Sequence, residues 1–225
     1  MSISGRGALV VLEGCDRAGK STQGRLLLER IRESGGECEL LAFPDRTTDL
    51  GRFIDRYLKG EVEMEPKEAH LVFAANRQAV VEKMKKKLQS GSHLIVDRYA
   101  YSGIAYTLAK KGCNMGIQWA KLHDVGILRP DCVIFFDLSP SEAAARCGFG
   151  GERLEALELQ ERVYEVMKQL GEENKDIWKA VDASLTVSTL ADKIWSLVES
   201  VMKSTSHLPL HLIDTVPSCC SQSSN

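Results

Sequence analysis

Hydrophobic positions in this chain fall into short unbroken runs, separated by longer stretches where apolar residues recur every three or four positions. The runs at 8–12, 39–43, 94–96 and 132–136, with a shorter one at 179–181, read as β-strands. They lack the alternation of a half-exposed sheet, so they predict parallel strands covered on both faces. Helical periodicity occupies 20–34, ended by Gly35-Gly36, then 68–89, ended by Ser90-Gly91, then 155–170 and 190–202. Pro44 stops the second strand, and Ser139-Pro140 reads as a helix start. Strands alternating with helices predict an α/β fold: a parallel sheet of about five strands, flanked by helices on both faces, in one unit over 1–203. From Ser204 onward Ser, Pro and Cys accumulate, and 204–225 reads as a disordered tail.

Composition narrows the partners. A net charge of −2 gives no basis for nucleic acid or an anionic membrane, and the run Lys85 to Lys87 reads as a solvated helix face. No apolar run reaches the length of a membrane span, and Met1 to Gly7 lacks the apolar core of a signal peptide. The seven cysteines form no C-x-x-C pair and their number is odd, which argues against structural zinc and a secreted disulfide framework. A reducing, cytoplasmic compartment fits. Adjacent Cys219 and Cys220 come with neither a lipidation box nor a basic cluster.

The chemistry begins at Gly14-Cys15-Asp16-Arg17-Ala18-Gly19-Lys20-Ser21, which has the spacing G-x-x-x-x-G-K-[ST] between a strand and a helix. Glycines let backbone N–H groups turn toward an anion, Lys20 can reach terminal phosphates, and Ser21 can hold Mg²⁺. The helix that follows aims its positive end at the same charge. The sheet is therefore expected to be of the P-loop NTPase type.

Three further segments lie beyond strand ends, where ligands of such sheets sit. In Phe43-Pro44-Asp45-Arg46 the arginine can grip an anion bidentately, or pair at the surface with Asp45 or Asp49. In Asp97-Arg98-Tyr99 the acid is placed to organise Mg²⁺, with Asp137 as its competitor, and Arg98 suits a second phosphate. Arg17, inside the loop, can spread the charge of a transferring phosphoryl group, with Asp16 shaping the loop. Gly148, Gly150 and Gly151 followed by Glu152-Arg153 read as a lid over about 138–156, with Arg146 at its near edge. Arg17, Lys20, Arg46 and Arg98, with Arg146 or Arg153, exceed what one triphosphate needs. Two phosphorylated substrates meeting head-on would account for them.

On these residues, with Phe73-Ala74-Ala75-Asn76-Arg77, Ala100-Tyr101-Ser102-Gly103 and Val181-Asp182-Ala183, the chain resembles the thymidylate kinase family over about residues 7–200, in its eukaryotic type. The resemblance implies phosphoryl transfer from MgATP to dTMP, giving dTDP for dTTP synthesis. It implies that Arg17, Ala18, Gly19, Lys20, Ser21 and Thr22 bind the ATP phosphates, and that Arg146 and the Ala183 loop flank adenine. Asp16 would lie near the dTMP sugar and the metal, and Ser21 and Asp97 would serve Mg²⁺. Arg46 and Arg98 would clamp the acceptor phosphate, Phe43 would belong to the substrate-binding residues, Phe73 would stack on thymine, and Arg77 would bond its carbonyl. Ser102 would lie near the base edge and Tyr106 would crowd the sugar 2′ position. A homodimer is implied too. Two positions depart from the pattern: Leu154, where many relatives have tyrosine, and Gln78, where animal relatives carry tryptophan. The rival readings are a kinase for another nucleoside monophosphate or a free deoxynucleoside, and a catalytically silent nucleotide-binding protein.

Overall fold

Phe136 and Leu12 point to one side of a sheet, Phe135 and Val11 to the other, and every one of them is buried. That two-faced burial is why the strand sequences carry no alternation. The computed structural model describes residues 5–146 and 152–214. Its strands are β1 (Leu9–Gly14), β2 (Cys38–Ala42), β3 (His93–Asp97), β4 (Cys132–Asp137) and β5 (Trp178–Asp182). All are parallel, in the order β2-β3-β1-β4-β5. The five-stranded parallel sheet expected from the sequence is present.

The helices are α1 (Lys20–Glu33), α2 (Asp49–Leu58), α3 (Pro66–Gln78), α4 (Val81–Gln89), α5 (Ala100–Leu108), α6 (Ile117–Leu122), α7 (Pro140–Ala144), α8 (Leu157–Glu173) and α9 (Val187–Thr205). Helices α1 and α9 close one face, over Val10, Leu12, Ile134 and Phe136. Helices α4, α5 and α8 close the other, over Val11, Val96, Val133 and Phe135. The register sets Leu12 beside Asp97 and Gly14 beside Phe136. The carboxyl ends of β1 and β3 therefore open side by side, and the phosphate loop leaves from the middle of the sheet.

Three differences from the sequence reading have physical causes. The helix expected over 68–89 is two helices, broken at Ala79-Val80. The first half packs on α5 and the second on β3. One straight rod of that length, about 33 Å, would not follow both surfaces. Helices α2, α5 and α6 are additional. The α5 sequence, Ala-Tyr-Ser-Gly-Ile-Ala-Tyr-Thr-Leu, is buried on most sides and so lacks an amphipathic stripe to read. Finally, the chain past Ser204 is not a tail throughout. Leu212 pairs with Leu128, Ile213 N donates to Ile127 O at 2.8 Å, and Arg6 reaches Leu208 O at 2.7 Å. Leu210 and Ile213 supply apolar anchors that a count of Ser, Pro and Cys overlooks. Cys219, Cys220 and the lid residues Cys147, Gly148, Gly150 and Gly151 lie outside the described residues.

Candidate active site

Gly14 ends β1 at φ +143°, and a Cβ there would stand 2.9 Å from the Phe136 carbonyl oxygen. Only glycine passes so close to β4 while the chain turns into the loop. Gly19 (φ +97°) then precedes α1, whose first residue is Lys20. The Lys20 ammonium is buried and donates to the carbonyls of Gly14 at 3.1 Å and Cys15 at 2.7 Å. Burial, and then the neighbouring Arg98, lower its pKa to about 8.

At the start of α1, Ser21 Oγ donates to Asp97 Oδ2 at 2.6 Å. Asp137, the competitor for that role, accepts instead from Tyr164 Oη at 2.6 Å. Arg146 spans the donor end of the site: Nη1 donates to Arg17 O at 2.9 Å and Nη2 to Ala183 O at 2.8 Å. Arg17 adopts φ +64° and stands 3.4 Å from the Glu155 carboxylate.

Beyond β3 the chain turns at Arg98, with φ +67°. Its guanidinium bonds Asp16, the Gly14 carbonyl at 3.2 Å and Ser102 Oγ at 3.1 Å. It also lies over the Tyr106 ring. Asp16 accepts from Tyr106 Oη at 2.7 Å and Gln160 Nε2 at 2.8 Å. Burial pushes the Asp16 carboxyl up, but Arg98, Lys20 and these donors outweigh it and hold it below the usual range. Arg46 donates to Asp55 at 2.6 Å and to Glu152 at 2.9 Å, not to Asp45 or Asp49. Asn76 of α3 holds this loop by accepting from Asp45 N at 2.7 Å. Phe73 and Arg77 share α3, Phe73 edge-on to Tyr57.

Many of these groups border one cavity of about 670 Å³. It is lined by Asp16, Arg17, Ala18, Gly19, Lys20, Ser21, Thr22, Phe43, Arg46, Phe73, Arg77, Asp97, Arg98, Ser102, Tyr106 and Arg146. Ala183 is buried behind the wall, with its carbonyl taken by Arg146. Arg153 turns away from the cavity, pairs with Glu63 and covers the Tyr57 ring. Leu154 lines the cavity where a tyrosine ring was the alternative.

Two site residues receive no role from the motif reading. Glu13, fully buried, accepts from the backbone N–H of Tyr99 at 2.9 Å and Ser102 at 3.0 Å, and from Ser102 Oγ. It thereby fixes the turn that carries Arg98. Burial raises its pKa, against the pull of Ser102 and Arg98. Its signal is an acid directly after an unbroken apolar run and still within the buried strand, which is tolerated only with partners. Gln160 is likewise buried, accepting from Asp16 N at 3.1 Å and donating to Tyr106 Oη at 2.9 Å. Its signal is an amide on the same buried stripe of α8 as Val163 and Met167.

The parallel sheet, the phosphate loop on its central strand and the cation-lined cavity at the strand ends define a P-loop nucleotide-binding protein. Comparison with known proteins narrows the class. Residues 12–194 match the model of the thymidylate kinase family. The chain is 43% identical to the Homo sapiens thymidylate kinase over 205 residues, 91% of this chain and 96% of that one. It is 41% identical to the Arabidopsis thaliana enzyme of that name over 213 residues, 94% of this chain and 79% of that one. The solved structure of Candida albicans thymidylate kinase superposes with a TM-score of 0.82 at 31% identity, covering 93% of this chain and 99% of that one. The chain belongs to the thymidylate kinase family.

Proposed function

We propose that the protein transfers the terminal phosphoryl group of ATP to dTMP, giving dTDP and ADP. The observation that carries this reading is the pairing of two cationic ends in one cavity. Lys20, Arg17 and Arg146 form one end, and Arg46 and Arg98 form the other, beside Phe73 and Arg77. One triphosphate needs only the first end. An aromatic ring and a buried guanidinium on one helix face suit a planar base with a carbonyl edge.

An acceptor phosphate is already anionic, so positioning and charge neutralisation supply the rate and no strong base is required. Lys20 and the loop N–H groups hold the donor phosphates, while Arg46 and Arg98 turn the acceptor oxygen toward them. Arg17 spreads the charge of the group in flight. Ser21 Oγ and Asp97 Oδ2 are hard oxygen donors side by side, a set that fits Mg²⁺ completed by phosphate oxygens and water. When bound, Mg²⁺ neutralises phosphate charge.

Coupled ADP release with dTMP, dUMP, CMP and thymidine compared side by side tests the reading. dTMP should give the highest kcat/KM. Preference for thymidine, or ATP binding with no acceptor-dependent ADP release, overturns it. A second expected result concerns protons. Near pH 8 about half of Lys20 is neutral in the free protein, and a bound triphosphate restores its charge. Nucleotide binding should therefore take up about half a proton from this group at pH 8 and almost none at pH 6.5, measured by calorimetry in buffers of different ionisation heat.

Assembly and location belong to the same proposal. A homodimer is the family's usual state, and exposed Leu71 of α3 and Leu122 of α6 are apolar side chains free to serve such a contact. Among the described residues no helix is long and apolar enough to cross a membrane, and Cys15, Cys38, Cys113 and Cys132 are free thiols. A reducing cytoplasm suits them.

A further inference from the structure

Arg77, to which the reading above gives the base contact, is not a free side chain. Its Nε donates to Asp124 Oδ1 at 2.7 Å and its Nη2 to Asp124 Oδ2 at 2.8 Å. The two side chains are only 3% and 1% exposed. A two-point pair of this kind fixes the plane of the guanidinium as well as its position. Gly103 of α5 presses on it from the other side: a Cβ there would lie 2.7 Å from Nη2 and 2.8 Å from Nη1. Among the described residues Nη1 donates to no protein acceptor, and Arg77 borders the cavity.

Asp124 is itself pinned. It follows the end of α6, and its N–H donates to Lys121 O at 3.2 Å. Gln78 Nε2 donates to the carbonyls on either side of it, His123 O at 3.4 Å and Val125 O at 3.0 Å. Two consecutive residues of α3 thus grip three consecutive residues of the loop, and the departure at Gln78 is part of that grip. A buried ion pair is a weak source of stability, because desolvation offsets most of the attraction. Here it borders the substrate cavity, where it can set an orientation.

We propose that Asp124 is a positioning residue for recognition of the acceptor base. By accepting from Nε and from one N–H of Nη2, it fixes the plane of the guanidinium and leaves Nη1 as an oriented donor. That donor matches a pyrimidine bearing a carbonyl at the facing ring position. It opposes one bearing an amino group, because two donors facing each other in a dry cavity are both left unpaired. The inference rests on the reading of Arg77 under the proposed function.

The test is Asp124→Asn, an isostere that cannot accept from both nitrogens as a carboxylate does. Initial rates with ATP are measured against dTMP and dCMP, which differ in a carbonyl or an amino group at ring position 4 and in the 5-methyl group, with dUMP as the carbonyl acceptor that lacks the methyl. The expected result is a KM for dTMP raised about 10- to 100-fold with kcat changed less than about threefold, and a dTMP-to-dCMP ratio of kcat/KM lowered at least about tenfold. Asp124→Glu, which keeps the carboxylate, should recover part of the ratio. If Asp124→Asn does not fold, Gln78→Ala loosens the same loop and keeps both charges, and should raise the dTMP KM about three- to tenfold with little change for dCMP. A folded Asp124→Asn enzyme with unaltered KM and ratio overturns the proposal. So does an equal loss of kcat/KM for both acceptors, the signature of a purely structural role. If the unsubstituted protein ignores dTMP, the functional reading fails and takes this one with it. If it uses dTMP while Asp124→Asn keeps full selectivity, the positioning role alone falls.

Discussion

Arg98→Ala lowers kcat/KM for dTMP about 10³-fold and destabilises the fold as well. The activity loss follows from the role proposed for Arg98 in holding the acceptor phosphate, since removing one charge stabiliser of this kind costs about 3–4 kcal/mol of transition-state free energy. The stability loss follows from Asp16. Its carboxylate is held ionised against burial largely by Arg98, and without that partner only Tyr106 and Gln160 remain to bond it. Breaking a buried pair costs about 3–5 kcal/mol. The side chains here are 18% and 24% exposed, so a figure near the lower bound is expected. Arg98→Lys keeps the charge but not the three-way bonding, and should fall between. Steady-state kinetics beside a denaturant melt check both halves. Turnover within about threefold of the unsubstituted protein would remove Arg98 from the acceptor clamp.

Lys20→Met moves activity and stability in opposite directions. Under the proposed function Lys20 holds the donor phosphates, so without its ammonium kcat should fall about 10²- to 10³-fold. Stability has the other sign. The folded-state pKa is about 8 against an ordinary 10.5, so at any pH below 8 folding must bury a charge at a cost of about 3 kcal/mol. That cost fades as the pH rises from 8 to 10.5, since the folded protein releases its proton first. Methionine fills the same space with no charge. The ligand-free variant should therefore melt higher than the parent at pH 7, and the gap should close by pH 10.5. Thermal melts without nucleotide at both pH values decide it; a lower melting temperature at pH 7 would show that Lys20 is not strained by burial.

What the sequence made legible was whatever depends on neighbours along the chain. The loop from Gly14 to Ser21 announces itself because φ-permissive glycines and a lysine must stand at fixed offsets. The strands do so because unbroken apolar runs bounded by glycine and proline have few other uses. Asp97, Arg98 and Arg46 could be placed because each lies at or shortly beyond the carboxyl end of a strand, and all strands of a parallel sheet open at one end. What stayed hidden depends on partners far away in sequence. Gln160 lies 144 positions from Asp16, and nothing local marks an amide on a helix as the support for a carboxylate. The break at Ala79-Val80 has neither glycine nor proline and follows from α3 and α4 resting on different neighbours. The Arg153 side chain read as a cavity cation because it follows glycines, yet Glu63 and Tyr57 draw it elsewhere.

Nearly every positive group along the cavity is already engaged: Arg98 by Asp16, Arg46 by Asp55 and Glu152, Lys20 by two carbonyls. These charges are thus close to self-quenched within the protein. A stray inorganic ion must disrupt an existing bond merely to exchange it for another of similar worth, and gains little. Only a ligand long enough to touch several of these groups together recovers more than it disrupts, so the resting arrangement acts as a filter on size and charge before any base is inspected.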